Sequence, residues 1–76
     1  MKNGNGRLAQ RFGQRLRKAR LQAGLSQDQL ADKVGIYKSQ LSTFENGHHL
    51  PGFQILRDLC ITLGADSNYL MVRRGR

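Results

Sequence analysis

The chain has 76 residues, one cysteine, no tryptophan and a formal net charge of +8 at neutral pH. This length allows a single domain with a small core, and a lone cysteine excludes an internal disulfide framework. No apolar run approaches the roughly 18 residues that span a bilayer, and the N-terminus lacks the apolar segment of a signal peptide, so we expect a cytoplasmic protein.

The positive charge is concentrated at the two ends of the chain. Residues 1–20 hold seven basic residues and no acid, and residues 73–76 add three arginines. The segment between them holds three basic residues and all five acids. Such charges keep a small domain soluble, but an acid-free run of this length favours contact with phosphates. Attraction to a polyanion should therefore come mainly from the ends.

Two elements are predicted at the N-terminal end. Residues 1–6 are poor in apolar side chains and contain two glycines, which predicts a flexible basic arm. A first helix is expected over Arg7–Ala23. Gly13 lies inside this helix and costs about 1 kcal/mol relative to alanine, so the segment before it should fray or bend. The apolar face of the helix carries Leu8, Phe12, Leu16, Ala19 and Ala23.

The next segment, residues 26–47, has the pattern of two short amphipathic helices, Gln27–Val34 and Lys38–Asn46, separated by a tight turn at Gly35. Ser26 and Gln29 form the S-x-x-Q pattern in which two side chains satisfy free amides at a helix start. This is the layout of a helix-turn-helix, which places a short helix in the major groove of DNA. The residues expected to be buried are Leu30, Ala31, Val34, Ile36, Leu41 and Phe44.

The outward face of the second of these helices should present short polar groups and one cation. Helical spacing turns these side chains to solvent when the apolar ones face inward. Such a row can meet base edges and phosphates. It consists of Lys38, Ser39, Ser42, Thr43 and Asn46.

The rest of the chain predicts two further helices. One should span Gly52–Leu63, because Pro51 suits a first helical turn and Gly64 is a stop signal. Cys60 falls on its apolar stripe and is interpreted as a small buried hydrophobe. Asp66 should then cap a short fifth helix containing Tyr69, Leu70 and Met71, followed by a basic tail at residues 73–76.

The segments FGQRLRKARLQAGLSQDQLADKVG and SQLSTFENG, followed by a helix ending LCITLGA, together resemble the Cro/cI-like, XRE-type helix-turn-helix family of phage and bacterial regulators. The resemblance runs from about Phe12 to Met71. It implies an all-α, compact, five-helix lambda-repressor-like DNA-binding domain, here assigned to residues 7–72. The implied function is sequence-specific transcriptional regulation, as a repressor that binds a pseudo-palindromic operator as a homodimer.

The resemblance also assigns roles to individual residues. Arg20 should pair with Glu45 and leave part of its guanidinium for a phosphate. Gln27 matches a glutamine that grips phosphate and braces a side chain of the recognition helix. Lys38, Ser39 and Thr43 match the base-reading positions. Self-association is implied around Ser67 and Tyr69, although Tyr69 equally fits a core position. Apart from the resemblance, the basic N-terminal run predicts phosphate contact from Arg7.

Tyr37 departs from the family pattern, which usually has Ser, Thr or Gly at this position. A tyrosine cannot cap the helix through a short side-chain oxygen, so the cap should be weaker by about 1 kcal/mol. Its phenol can donate to a DNA phosphate instead, or pack flat against the turn.

The sequence also bears on classes of function other than DNA binding. No catalytic constellation, cofactor motif or set of metal ligands is recognisable, and His48 and His49 have no further ligand at suitable spacing, so we expect no enzyme. An antitoxin or a restriction-modification controller uses the same fold, binds DNA and in the first case also binds a protein partner. A binder of membrane surfaces or RNA through the basic first helix is the remaining alternative.

Overall fold

The computed structural model describes residues 5–66, 69 and 70. Within that part of the chain there are four α-helices and no strand. They are α1 (Asn5–Gln22), α2 (Gln27–Val34), α3 (Lys38–Glu45) and α4 (Phe53–Leu63). The prediction of an all-α domain is confirmed.

Helix α1 begins earlier than the sequence predicted, because Asn5 and Gly6 are helical rather than part of an arm. Ala9 is buried, so its backbone amide needs an acceptor inside the protein. In a helix the acceptor is the carbonyl four residues earlier, so burial of Ala9 favours a helix that begins near Asn5. The helix also ends one residue early, which leaves Ala23 exposed instead of on the apolar face. The remainder of the predicted arm and the tail at residues 73–76 lie outside the described residues.

The connection between α2 and α3 follows the predicted pattern. Ser26 Oγ accepts from the Gln29 amide at 3.0 Å, and Gln29 Oε1 accepts from the Ser26 amide at 2.8 Å. Gly35 ends α2 with φ 82°, a left-handed conformation that only glycine adopts at little cost, and its amide donates to the Ala31 carbonyl at 2.8 Å. The predicted capping box and glycine turn are both confirmed.

The hydrophobic core lies where α1 and α2 pack against α3, and where α4 packs against α2. Helix α4 begins at Phe53, one residue after the predicted start, with Gly52 as its N-cap. Cys60 is half-buried in this helix, and burial, with a smaller effect of the Asp66 carboxylate, raises the pKa of its thiol. The buried members of the core are Phe12, Leu16, Ala19, Leu30, Ala31, Leu41, Phe44, Leu59 and Leu70.

The predicted fifth helix is not established. Tyr69 and Leu70 are helical, and Leu70 is fully buried, but residues 67, 68 and 71 lie outside the described part of the chain. None of the helices in the described ranges is long and apolar enough to cross a membrane.

Gly13 lies inside an uninterrupted α1, so the expected fraying at this position is not observed. A Cβ atom placed on Gly13 would lie 2.5 Å from the carbonyl oxygens of Phe44 and Glu45. Helices α1 and α3 therefore approach each other at a point where no side chain fits. The glycine is required by packing, which outweighs its poor helix propensity.

Candidate nucleic-acid interface

Helix α3 separates a buried face from an exposed polar face. Leu41 is fully buried and Phe44 is 7% exposed, so these two side chains attach the helix to the core. On the other side Lys38 and Ser39 are exposed. Ser42 and Thr43 are half-exposed, and Asn46, just after the helix, is exposed. The structure thus brings the five predicted polar residues onto one accessible surface.

Two hydrogen bonds order the polar groups on this face. Thr43 Oγ1 donates to the Ser39 carbonyl at 2.9 Å. This uses the hydroxyl proton of Thr43, which leaves its oxygen lone pair and its methyl group available to a ligand. Asn46 Nδ2 donates to Ser42 Oγ at 3.2 Å, which links the end of the helix to its middle.

Tyr37 is the N-cap residue of α3, and its side chain is used differently from a usual cap. Its hydroxyl makes no capping hydrogen bond, as the sequence predicted, and the residue is 78% exposed. The amide of Tyr37 instead donates to Gln40 Oε1 at 3.1 Å, so only the reciprocal half of the capping arrangement holds the helix start. The phenol is left at the surface, where Tyr37 lines a shallow cleft with Asp32 and Gln40.

A buried ion pair fixes the other end of α3. Arg20 Nε donates to Glu45 Oε2 at 2.7 Å, and Arg20 Nη2 donates to Glu45 Oε1 at 3.1 Å. Both residues are 7% exposed. Arg20 Nη1 donates to the Leu25 carbonyl at 2.9 Å, and Gln27 Nε2 donates to Glu45 Oε1 at 3.0 Å. One carboxylate therefore joins α1, the start of α2 and the end of α3.

This network directs Arg20 inward. Three of its N–H groups bond protein oxygens, and only 8% of its side chain is exposed. The geometry leaves little of the guanidinium for a phosphate, so the expected phosphate contact of Arg20 finds no support here. Gln27 braces α3 through Glu45, and its contact with a phosphate stays a prediction.

An open depression lies over the start of α2 and the start and end of α3. Outside the buried Arg20–Glu45 pair, its charged lining residues are Arg17, Asp28 and Lys38, and Lys38 Nζ lies 3.8 Å from Asp28 Oδ2. The sequence reasoning did not single out Arg17, although its spacing of three residues from Arg20 places it near the same side of α1. The lining residues are Arg17, Arg20, Ser26, Gln27, Asp28, Lys38, Glu45 and Asn46.

The remaining predicted site residues lie elsewhere. Arg7 is exposed near the start of α1 and does not line the depression. Tyr69 is half-buried against the core, and the guanidinium carbon of Arg15 lies 4.8 Å from the centre of its ring. Ser67 lies outside the described residues.

Comparison with known proteins places this geometry in a family. The helix-turn-helix domain family matches residues 13–76. A "SPbeta prophage-derived uncharacterized HTH-type transcriptional regulator YonR" from Bacillus subtilis is 35% identical over 60 residues, which are 79% of this chain. The chain spans only 56% of the length of that relative.

Two solved structures share the fold. The restriction-modification controller protein C.AhdI from Aeromonas hydrophila is 32% identical with a TM-score of 0.76, and the match covers 82% of this chain and 94% of the controller. The clp gene regulator ClgR from Corynebacterium glutamicum is 26% identical with a TM-score of 0.79, over 86% of this chain and 69% of the regulator. All three relatives are regulators or controllers. The chain belongs to the Cro/cI-like, XRE-type helix-turn-helix family of DNA-binding transcriptional regulators.

Proposed function

We propose that this protein is a sequence-specific transcriptional repressor that binds a pseudo-palindromic operator as a homodimer. The observation that carries the proposal is the exposed polar face of α3, held on one side by buried Leu41 and at its end by the Arg20–Glu45 pair. A helix anchored in this way presents its outer side chains at a fixed angle to a ligand. A fixed angle is what reading base edges in the major groove requires.

The chemistry of the outer face matches the groove. Lys38 carries an ammonium that suits the O6 and N7 acceptors of guanine, and the Thr43 methyl suits the methyl of thymine. Ser39 bonds either a donor or an acceptor and discriminates weakly. In this proposal Gln27 and the Tyr37 phenol contact phosphates, which position the protein without reading sequence.

The experiment is a base-by-base competition on an operator selected from a random DNA pool. Lys38→Ala, Ser39→Ala and Thr43→Ala should each lose about 1–3 kcal/mol against the preferred operator and relax preference at one symmetric pair of positions. Lys33→Ala is the matched control, because Lys33 is an exposed lysine in the last turn of α2. If all three α3 variants kept the wild-type preference profile, α3 would not be the reader.

The homodimer is proposed because one recognition helix reads too few base pairs for useful specificity, and a two-fold pair doubles the contacts. The exposed side of α4 supports this part of the proposal. Phe53 is 77% exposed and Ile61 is 71% exposed, and they lie eight residues apart with exposed Arg57 halfway between them. Residues spaced by four form one ridge on a helix.

This ridge is self-complementary. In an antiparallel pair of α4 helices with the two-fold axis at Arg57, Phe53 of one copy meets Ile61 of the other. Arg57 pairs with the neighbouring Asp58 at 3.2 Å, so the guanidinium on the ridge is neutralised by a carboxylate of its own copy. Leu21 on α1 is also exposed, but it lies beside Arg17 and Lys18, whose charges repel a second copy. The α4 ridge is thus a better self-association surface than the Leu21 face of α1, and it is separate from the interface expected around Ser67 and Tyr69.

The dimer is tested by sedimentation of the full chain. Phe53→Glu and Ile61→Glu should shift the protein to a monomer and weaken binding to the whole operator more than to a half-site. Leu21→Glu adds the same charge to α1 and should leave the dimer intact. A wild-type monomer bound to DNA would refute the homodimer, and a dimer that survives both α4 changes would move the interface away from this ridge.

A restriction-modification controller is the second candidate function, favoured by the 94% coverage of C.AhdI. A DNA-binding antitoxin with a protein partner belongs to the same alternative. Both retain operator binding through α3. A restriction or toxin gene beside the coding sequence, or a second chain that co-purifies with this one, distinguishes them from a stand-alone repressor.

A further inference from the structure

An exposed acidic residue lies on the surface that the proposed function turns toward DNA. Asp28 is in the first turn of α2, and 76% of its side chain is exposed. Its carboxylate lines the same depression as Arg17 and Lys38. The other acid there, Glu45, is buried and neutralised by Arg20. Asp28 is therefore the one exposed negative charge among the residues that line this depression.

Stability accounts for only a small part of the position of Asp28. Its pair with Lys38 spans 3.8 Å between two largely exposed side chains, and such pairs contribute little to folding. The positive end of α2 favours an acid in its first turn, and at an exposed helix end this contribution is also small. For a DNA-binding surface the same charge is unfavourable, because it repels every phosphate that approaches.

We propose that Asp28 is a specificity-determining residue that acts by restraining Lys38. This inference rests on the proposed function, in which Lys38 reads a base. The carboxylate attracts the Lys38 ammonium and opposes the approach of phosphates to the start of α3. Lys38 is then a poor partner for a phosphate, which every DNA sequence offers. A guanine at the correct position presents two acceptors in the groove and competes better for the ammonium.

Asp28 thus weakens binding to all DNA, and it weakens binding to unrelated sequences more than binding to the operator. The consequence is a larger ratio between operator and non-specific affinity. That ratio, rather than the affinity alone, decides how a regulator finds its site among many competing sequences.

The test uses the full chain and compares Asp28→Asn with Asp32→Asn. Asp32 is exposed on the same helix, one turn later, and does not line the depression, so both variants change net charge equally. Affinities are measured on an operator selected from a random pool and on a scrambled duplex, over a range of salt concentrations. Thermal melting of each variant checks that the fold is retained.

Asp28→Asn should tighten binding to the scrambled duplex and lower the ratio of the two affinities by about twofold to fivefold, the effect of one exposed charge pair. On the scrambled duplex the plot of log K against log salt should steepen by about 0.9, one additional phosphate contact. Asp32→Asn should leave the ratio unchanged. In a Lys38→Ala background, Asp28→Asn should lose most of its effect on the ratio.

Equal effects of the two asparagine variants would overturn the proposal, because net charge alone would then explain them. An effect that persisted fully without Lys38 would also overturn it, since Asp28 would act directly on the DNA. Failure of the proposed function has a different signature: wild-type protein would bind the selected and scrambled duplexes equally. A wild type with clear preference and an Asp28→Asn variant with the same ratio would refute this inference alone.

Discussion

The backbone of Gly13 in α1 lies directly against the carbonyl group of Glu45 at the end of α3. An added Cβ would come within 2.5 Å of the carbonyl oxygens of Glu45 and Phe44, closer than non-bonded atoms approach. Glu45 also pairs through its side chain with Arg20, which lies about two helical turns further along the same face of α1. Helix α3 is thus attached to α1 through both the backbone and the side chain of Glu45.

Gly13→Ala should therefore destabilise the protein, although alanine is the better helix former. Overpacking of this kind costs about 1–3 kcal/mol. The obstacle is backbone, so relief requires α3 to move away from α1, and operator affinity should fall as well. Urea denaturation gives the free energy of unfolding, and a binding titration gives the affinity.

Gly52→Ala is the control for this change. Gly52 precedes α4, has φ −69° and has open space where a Cβ would lie. Its replacement should change stability by less than about 1 kcal/mol, the size of an N-cap effect. A Gly13→Ala variant more stable than wild type would show that the two helices separate at no cost.

Glu45→Ala should lower the free energy of unfolding by about 3–5 kcal/mol, since it leaves the Arg20 guanidinium buried without its partner. Glu45→Gln keeps an acceptor oxygen for Arg20 and should cost less. Denaturation midpoints of the two variants give the comparison. Equal stability of wild type and Glu45→Ala would mean that the pair contributes nothing to the fold.

A double replacement separates folding from docking. Arg20→Met with Glu45→Leu removes both charges and should recover much of the stability lost in Glu45→Ala. It cannot restore the 3.0 Å hydrogen bond that Gln27 makes to Glu45. Operator affinity should therefore stay below that of wild type even where stability returns. Full recovery of affinity would mean that the hydrogen bond of Gln27 to Glu45 has no role in DNA binding.

Tyr37→Ser should have opposite effects on stability and on binding. Tyr37 has the extended backbone of an N-cap but no capping hydrogen bond, so a serine should stabilise α3 by about 0.5–2 kcal/mol. The phenol would be lost from the surface proposed to meet a phosphate, and DNA affinity should fall. Ser26→Ala removes the existing cap of α2 and should cost about 1 kcal/mol, which calibrates the scale. A serine variant that melts below wild type would contradict the capping argument.

Local signals account for the parts of the fold that the sequence predicted well. The capping box joins Ser26 to Gln29, and the turn at Gly35 bonds back to Ala31. Each feature depends on residues no more than four positions apart, so the start and end of α2 can be predicted from the sequence. The packing role of Gly13 is not readable in this way, because its partners lie more than 30 positions away. The poor helix propensity of a glycine can be predicted from the sequence, whereas the close helix packing that it permits is seen only in the folded structure.

The candidate site was predictable only in part, for the same reason. The exposed face of α3 follows from helical spacing, but the Arg20–Glu45 pair joins residues 25 positions apart and was expected only through family resemblance. The inward direction of all three bonded groups of Arg20 did not follow from the motif. Arg17 was missed because its place beside Lys38 depends on how α1 crosses α3 and not on any local pattern.

Arg17 provides the last prediction, because the adjacent Lys18 carries the same charge but does not line the depression. Arg17 lines the depression with Lys38 and Asn46, whereas Lys18 lines a cleft near Asp66; the two residues share only a shallow cleft beside Leu21. Arg17→Ala should weaken binding to operator and to scrambled DNA about equally, since phosphate contacts carry no sequence information. It should also reduce the slope of log K against log salt by about 0.9, the release of one counterion contact.

Lys18→Ala removes the same charge one residue later and should change the slope by much less, because exposed charges beyond about 8–10 Å are screened at physiological salt. Both variants lose one positive charge, so titrations of the two on one scrambled duplex separate the effect of the residue's position from that of net charge. If Lys18→Ala reduced the slope as much as Arg17→Ala, the whole basic side of α1 would act on DNA as diffuse charge. If neither did, the phosphate contacts would have to come from other basic residues, among which Arg7 at the start of α1 is exposed.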